Sequence, residues 1–122
     1  MSFRLTYATM FDPPAAMHER FDAALAVVRS RLAARHGLFV NGADVATAHH
    51  AARHSPIDST LHLGDFAVAG AEHVDAAMQA AQAAFPAWRA TPVAGRARLM
   101  RRVADLMEQR VYEIAAALAL EV

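Results

Sequence analysis

The sequence predicts an α+β segment in which one helix is followed by a β-hairpin, a short strand and two long helices. Three observations predict this order. Apolar residues recur at helical spacing near both ends of the chain. An Asn-Gly pair stands between two short apolar runs in the middle. The second half is also rich in alanine, the residue with the highest helix propensity, which favours helices there. The length of 122 residues corresponds to one domain.

The first helix is predicted over residues 12–37, after an extended arm at residues 1–11. Asp12 supplies a carboxylate N-cap, and Pro13 suits the first helical position because its missing N–H needs no partner. Gly37 offers a left-handed C-terminal cap. The apolar stripe of this helix consists of Met17, Phe21, Leu25, Val28 and Leu32.

Residues 38–68 are predicted to form strands and turns. Asn41-Gly42 is a strong two-residue turn signal, and it predicts a hairpin of residues 38–40 with residues 43–45. Residues 46–54 are polar and diluted by alanine, which predicts a connection. Residues 55–60 predict extended chain leading into a turn, and residues 61–68 alternate as a half-buried strand in which Gly64 is a candidate bulge.

Two long helices complete the predicted order. The first begins near residue 71 and is ended or kinked by Pro86, since proline lacks a backbone N–H. Thr91 caps the second, and Pro92 is its first residue. Phe85 and Trp88 are expected to fill the corner between the helices. The inward residues are predicted to be Val74, Ala77, Met78, Ala81 and Phe85 in the first helix, and Leu99, Val103, Leu106, Met107, Ile114 and Leu118 in the second.

Composition and charge exclude several classes of protein. Twelve basic and twelve acidic side chains give zero net charge, whereas nucleic-acid binding usually needs a basic excess. The chain has no cysteine, so it cannot supply a disulfide, a thiolate zinc site or a cysteine nucleophile. No secretory signal or apolar run of membrane length is present. We therefore expect a cytoplasmic protein with no nucleic-acid and no membrane partner.

Histidines form the best candidate metal cluster. His49, His50 and His54 are close in sequence, and the last two have the four-residue spacing that metal-binding helices use. No cysteine is available and no nearby carboxylate is placed to complete a tetrahedral set, so a solvated loop is the favoured interpretation. His62 and His73 are interpreted as surface residues.

Other charged groups give no catalytic pattern. The arginines of RARLMRR alternate with apolar positions and are followed by acids one turn later, which favours a solvated helix face. Glu108 and Glu113 fall on different faces and form no acid–base pair. The five glycines are too widely spaced for a phosphate-binding loop. On sequence alone we assign no catalytic, no cofactor-binding and no metal-binding residue.

An ordered set of segments resembles the N-terminal part of the NAD-dependent aldehyde dehydrogenases. The segments are LFVNG, SPID, LGDF, EHVDAAMQAAQAAFPAWRATPVAGRARLMRRVADLMEQR and ALALEV. The family typically shows an alanine-rich helix followed by an aromatic residue, a tryptophan and a Thr-Pro helix start, as in VDAAMQAAQAAFPAWRATP. The resemblance implies an α/β parent fold with a Rossmann-like cofactor domain, of which residues 38–122 are the truncated N-terminal part.

The segment before the hairpin narrows the resemblance. FDPPAAMHERFDAALAVVRSRLAARHGLFVNG is similar to the extra N-terminal helix of the 1-pyrroline-5-carboxylate dehydrogenases. Those enzymes use NAD to oxidise glutamate γ-semialdehyde to glutamate in proline breakdown. The resemblance implies this reaction and this cofactor for the parent enzyme.

The same resemblance implies which groups the chain lacks. In the family a cysteine thiolate attacks the aldehyde, hydride leaves to NAD, and a glutamate activates water. This chain has no cysteine and the match ends before the cofactor loop, so the chain alone is expected to be inactive and to bind no NAD. Some members hold a structural monovalent cation, and Glu121 falls near that position.

The apolar helix faces predict a partner. We expect them to dock on the remainder of the dehydrogenase or to form a homo-oligomer. The C-terminal ALALEV is still helical in pattern and has no stop signal, which is typical of a sequence cut from a longer one. Two alternatives stay open: a stand-alone helical interaction module or non-catalytic remnant, and a small histidine metal binder.

Overall fold

The computed structural model describes Tyr7 and residues 11–122. The predicted arm at residues 1–11 therefore lies outside the described residues, apart from Tyr7 and Phe11. The elements are α1 (Ala15–Arg29), β1 (Ala34–His36), β2 (Leu38–Val40), β3 (Ala43–Val45), β4 (His50–His54), β5 (His62–Ala67), α2 (Ala71–Ala90), α3 (Val93–Gln109) and α4 (Val111–Glu121). The predicted order of a helix, then strands, then helices is confirmed.

Helix α1 is shorter than the predicted helix of residues 12–37. Pro14, not Asp12, occupies its N-cap position. The helix ends at Arg29, and the hydroxyl of Ser30 donates to a carbonyl of the preceding turn at 2.8 Å. Helix α1 packs on α4, and the predicted stripe is half-buried. Its members are Met17, Phe21, Leu25, Val28 and Leu32.

The chain leaves α1 through Ala33 rather than through a glycine cap. Ala33 has a left-handed φ of 61°, and its N–H donates to the carbonyl of Leu63 at 3.1 Å. Strand β1 follows at once, inside the range predicted to be helical. Gly37 separates β1 from β2, so its prediction as a helix cap is wrong.

A three-stranded sheet has the order β1-β5-β4. The central strand β5 pairs in parallel with β1 and antiparallel with β4. Strand β4 occupies part of the predicted connection of residues 46–54, because pairing with β5 overrides the weak strand propensity of its alanines. The register irregularity falls beside Gly64, between the pairs Arg53–Gly64 and His54–His62.

The predicted hairpin is confirmed. Strands β2 and β3 pair antiparallel, with Leu38 opposite Val45 and Val40 opposite Ala43. The two residues of the turn, at positions 41 and 42, have φ values of 53° and 78°. Two successive left-handed residues define the type I′ turn that Asn-Gly favours.

The predicted turn after β4 is built on Asp58. Its Oδ1 accepts hydrogen bonds from the N–H of Thr60 at 2.9 Å and from the Thr60 hydroxyl at 2.6 Å. These bonds, the hydroxyl bond foremost, hold the pKa of Asp58 below its usual value. The side chain thus replaces a backbone turn bond, as aspartate often does in turns.

Helix α2 passes through Pro86 and ends only at Ala90, so Pro86 does not end the helix, and the alternative that it kinks the helix stays a prediction. A proline removes one helical hydrogen bond, and here the helix continues for one more turn. The Thr91 hydroxyl donates back to the carbonyl of Ala87 at 2.9 Å. Thr91 therefore closes α2, and Pro92, not Thr91, is the N-cap residue of α3.

The predicted last helix is two helices. Arg110 has φ −108° and ψ 15°, which interrupts the helix between α3 and α4. Its guanidinium donates to the carboxylate of Glu113 at 3.0 and 3.1 Å, and Arg31 donates to the same carboxylate at 3.0 Å. Through Glu113, the break is therefore linked to Arg31, which lies in the chain that follows α1.

The core is small, and its buried side chains lie on β5 and α4. Among the described residues, the buried hydrophobic side chains are Leu63, Ala116 and Leu120. Ser55 is also buried, and its hydroxyl donates to the carbonyl of Leu120 at 2.5 Å. This contact fixes the end of β4 to the end of α4. No helix in the described part of the chain is long and apolar enough to span a membrane.

Candidate functional site

The histidines of β4 lie apart because this segment is a strand. His50 and His54 stand at its two ends, roughly 13 Å apart by the rise of an extended chain, and not on one turn of a helix. Within the range that the structure describes, no group of three histidine, aspartate or glutamate side chains could hold a metal ion. The geometry therefore gives no support to the histidine metal binder.

Each of these histidines has a local contact. Nδ1 of His50 lies 3.0 Å from the guanidinium of Arg35, and the rings of His54 and His62 lie 5.1 Å apart. Nε2 of His62 is 3.2 Å from Oδ1 of Asp65. Such single pairs orient the rings on the sheet but provide no nucleophile beside a base.

His73 is less exposed than predicted. Its side chain is 18% exposed, and its Nδ1 accepts the backbone N–H of Gly70 at 3.0 Å. The imidazole thus satisfies an N–H at the start of α2, where helices leave such groups unpaired. The prediction of a surface residue is wrong, and the role of His73 is structural.

Glu121 lines a shallow cavity of about 310 Å³ together with Arg53, His54, Leu63 and Phe66. A monovalent cation needs several oxygen ligands, but the lining supplies one carboxylate beside a guanidinium. The positive charge of Arg53 opposes a cation in the same cavity. These side chains alone do not complete a cation site, and the cation that the resemblance implies near Glu121 stays a prediction.

The predicted corner at Trp88 is open. Phe85 is 57% exposed and Trp88 is 42% exposed, so they do not fill a closed elbow. The guanidinium of Arg96 lies 6.0 Å from the centre of the Trp88 ring, at the limit of a cation–π contact across the corner. The prediction of a packed corner is wrong for the described chain.

Apolar side chains along α2 and α3 are the most prominent surface feature. Val74 and Met78 are 55% and 57% exposed, although they were predicted to point inward. Residues 98–110 are all exposed. We define the α2–α3 surface by its exposed apolar members, which are Val74, Met78, Phe85, Trp88, Leu99, Met100, Val103, Leu106 and Met107.

A groove at the start of α2 extends this surface. It has a volume of about 250 Å³ and lies between the β2–β3 hairpin and α2. Its walls include Leu38, Phe39, Val74 and Met78, and Phe39 is itself 72% exposed. Contiguous exposed apolar side chains of this kind are typical of surfaces that bind another protein or a ligand.

Fold and surface together define an α+β scaffold that presents apolar helices for packing. The chain belongs to the aldehyde dehydrogenase family, whose model matches residues 44–122. This confirms the family that the sequence resembles.

Curated relatives give the same family. The chain is 35% identical over 103 residues to 1-pyrroline-5-carboxylate dehydrogenase 2 of Bacillus subtilis strain 168. This match covers 84% of this chain and 20% of that protein. It is 40% identical over 78 residues to 5-carboxymethyl-2-hydroxymuconate semialdehyde dehydrogenase of Escherichia coli. This match covers 64% of this chain and 16% of that protein. The chain thus spans about a fifth of these relatives.

Solved structures show the fold. An arginine-to-alanine mutant of 1-pyrroline-5-carboxylate dehydrogenase from Thermus thermophilus superimposes with a TM-score of 0.87 and 28% identity, over 98% of this chain and 23% of that one. A Thermus 1-pyrroline-5-carboxylate dehydrogenase with bound NAD superimposes with a TM-score of 0.83 and 28% identity. The superposition covers 95% of this chain and 22% of that one. The predicted parent fold, that of an aldehyde dehydrogenase, is confirmed.

The described residues do not fit NAD. Binding of its phosphates commonly uses clustered glycines before a helix. Here Gly37 and Gly42 flank hairpin strands, Gly64 is in the sheet, and Gly70 and Gly95 lie at the starts of separate helices. The absence of catalytic residues from this chain stays a prediction.

Proposed function

We propose that this chain is the N-terminal segment of an NAD-dependent dehydrogenase that oxidises glutamate γ-semialdehyde to glutamate. The length of the match supports this substrate among the aldehydes that the relatives' names include. A match of 103 residues must extend at least 18 residues into positions 1–37, because residues 38–122 number only 85. A second relative, 1-pyrroline-5-carboxylate dehydrogenase of Geobacillus kaustophilus, matches over 106 residues.

Other family members match shorter stretches. Vanillin dehydrogenase of Pseudomonas matches over 66 residues, and N-succinylglutamate 5-semialdehyde dehydrogenase of Chromobacterium violaceum matches over 85. The region around α1 and β1 is therefore shared most fully with proteins that act on 1-pyrroline-5-carboxylate. This difference in the length of the sequence match is the observation on which the substrate proposal depends.

The role of the segment itself is structural. Helix α1 packs on α4, and the Ser55 hydroxyl joins the end of β4 to α4, while α2 and α3 present apolar side chains outward. In the longer protein the α2–α3 surface packs against the remainder of the dehydrogenase, since burying it releases ordered water. Without a cysteine, the segment supplies no nucleophile for aldehyde oxidation.

A chimera tests the structural role. The matched segment of the Bacillus subtilis 1-pyrroline-5-carboxylate dehydrogenase 2 is replaced by this chain, and NADH formation is followed with 1-pyrroline-5-carboxylate. We expect activity within about tenfold of the parent enzyme for the chimera and none for the isolated 122-residue chain. Turnover by the isolated chain, or a folded but inactive chimera, would contradict the proposal.

The substrate is tested on the complete open reading frame that contains these 122 codons. Its product should carry a cysteine downstream and should prefer glutamate γ-semialdehyde to the semialdehydes of the other relatives, judged by kcat/KM. A preference for a muconic semialdehyde would keep the family and reject the substrate. A frame that stops at codon 122 would favour the alternative of a stand-alone interaction module.

A further inference from the structure

We infer that His73 is a proton-controlled cap at the start of helix α2. Protonation of its ring moves the hydrogen bond of Nδ1 from the backbone N–H of Gly70 to the carboxylate of Glu72. The inference goes beyond the proposed function, because it concerns the response of the fold to pH and not the aldehyde. It depends on one ring nitrogen with two contacts that cannot be made together.

Two groups lie within hydrogen-bond distance of Nδ1 of His73. The N–H of Gly70 lies at 3.0 Å, and Oε1 of Glu72 lies at 3.1 Å. A ring nitrogen carries either a lone pair or a proton, and an ionised carboxylate can only accept. Nδ1 therefore accepts from Gly70 when it is bare and donates to Glu72 when it is protonated.

The bare nitrogen completes a reciprocal set of bonds around Gly70. The carbonyl of Gly70 accepts the N–H of His73 at 3.1 Å and the N–H of Val74 at 3.3 Å. The N–H of Gly70 is bonded in turn by the ring of His73, as in a capping box. Capping boxes ordinarily use glutamate or glutamine at this position. Imidazole differs from both because it gains a proton at mildly acidic pH and then stops accepting.

The carboxylate of Glu72 reaches the ring because residue 70 has no side chain. An ideal Cβ on Gly70 would lie 2.5 Å from both carboxylate oxygens of Glu72. Any other residue at position 70 would therefore displace this carboxylate. The side chain of Glu72 is 74% exposed and free to follow the proton, whereas the ring of His73 is 18% exposed and is held in place.

The other surroundings of the ring carry no charge. The remaining side chains that line the groove beside His73 are apolar, and β2, which packs on α2, consists of Leu38–Val40. Asp44 lies opposite Phe39 in the hairpin but does not line the groove. Asp75 lies about 200° around the helix from His73. Gly70 and Glu72 are therefore the groups through which the proton acts.

Protonation weakens the start of α2. It removes the bond to the N–H of Gly70, and it places a positive ring at the positive end of the helix dipole. His73 and Val74 form part of one wall of the groove between α2 and the β2–β3 hairpin. We therefore expect the first turn of α2, and the groove with it, to open more often in acid.

Hydrogen exchange at single-amide resolution tests the cap in the product of the complete open reading frame that contains these 122 codons. The protection factor of the Gly70 amide, which is its rate relative to the intrinsic rate at the same pH, should fall about tenfold between about pH 8 and pH 5. His73→Asn is the matched control, because its side-chain oxygen accepts at every pH. This variant should show no such fall.

Nitrogen NMR of labelled histidines locates the proton, with the signal of His73 assigned by its loss in His73→Asn. At about pH 8 the ring should carry its proton on Nε2 and leave Nδ1 bare. At about pH 5 the Nδ1 proton should give a signal that Glu72→Ala removes, since without its acceptor this proton exchanges with water.

Four results would each overturn the inference. They are a neutral ring with its proton on Nδ1, a Gly70 protection factor that does not change with pH, an equal fall in His73→Asn, and an Nδ1 proton signal that survives in Glu72→Ala. None of these measurements requires a substrate or turnover. They therefore fail or succeed separately from the chimera and from the test of substrate preference.

Discussion

Replacing Gly64 by alanine should destabilise the chain, because a Cβ atom there would meet the backbone of the neighbouring strand. Gly64 lies opposite Ala34 in the parallel β1–β5 pair. An ideal Cβ on Gly64 would lie 2.7 Å from the carbonyl oxygen of Ala34 and 3.1 Å from the ring of His36. The oxygen belongs to the backbone, so no side-chain rotation relieves the first contact.

The size of the effect follows from these distances. Ordinary contact begins near 3.4 Å, so the two strands must separate by about 0.7 Å. Overpacking of this kind costs about 1–3 kcal/mol. The loss of glycine's freedom in the unfolded chain offsets about 0.4–1 kcal/mol of that. We expect the free energy of unfolding to fall by about 1–2 kcal/mol.

Gly37 provides the matched control. A Cβ at Gly37 would lie 3.6 Å from the carbonyl oxygen of Val45, which is ordinary contact. Gly37→Ala should therefore leave stability unchanged or raise it slightly. Urea unfolding of both variants, followed by circular dichroism at about 222 nm, where helices absorb, makes the comparison. A Gly64→Ala protein at least as stable as wild type would show that the β1–β5 approach is not tight.

Three further predictions concern the core and its ion pairs. Leu120→Ala should lower the free energy of unfolding by about 2–5 kcal/mol in urea, because Leu120 is 4% exposed. Ser55→Ala should lower it by about 1–2 kcal/mol, since a buried hydrogen bond is lost; no change would mean that water replaces the hydroxyl. Hydrogen bonding by Arg110 holds the pKa of Glu113 below its usual 4.5. This stabilisation is complete above pH 4.5 and is lost as the pH falls through the lower value of the folded state. Glu113→Gln should remove that acid dependence from a series of unfolding curves, and an unchanged series would contradict it.

The elements that local chemistry determines could be predicted from the sequence. Asn41-Gly42 requires only its own backbone conformation, and Asp58 builds its turn with a neighbour two residues away. The stripe of α1 follows from helical spacing and is half-buried as expected. The resemblance then identified the family, because the order of several segments is far more specific than any one of them.

The remaining elements depend on contacts between distant residues. Strand β1 forms because it pairs with β5, and nothing in Ala34–His36 favours a strand by itself. The break at Arg110 has no glycine or proline to mark it and is held by Glu113 and Arg31. The outward position of Phe85 and Trp88 also escaped prediction, since an apolar stripe looks the same whether or not the chain itself covers it.

The position of α4 determines when the chain can fold during synthesis. Ser55 bonds to Leu120 across 65 residues, and Arg31 pairs with Glu113 across 82. While only the residues before α4 have left the ribosome, the side chains of α4 that close the core are still inside it. Loop closures of this length slow folding, and the incomplete chain meanwhile exposes its apolar helices. We expect a nascent chain that ends before residue 111 to be a substrate for chaperones, and folding to begin only once α4 has emerged.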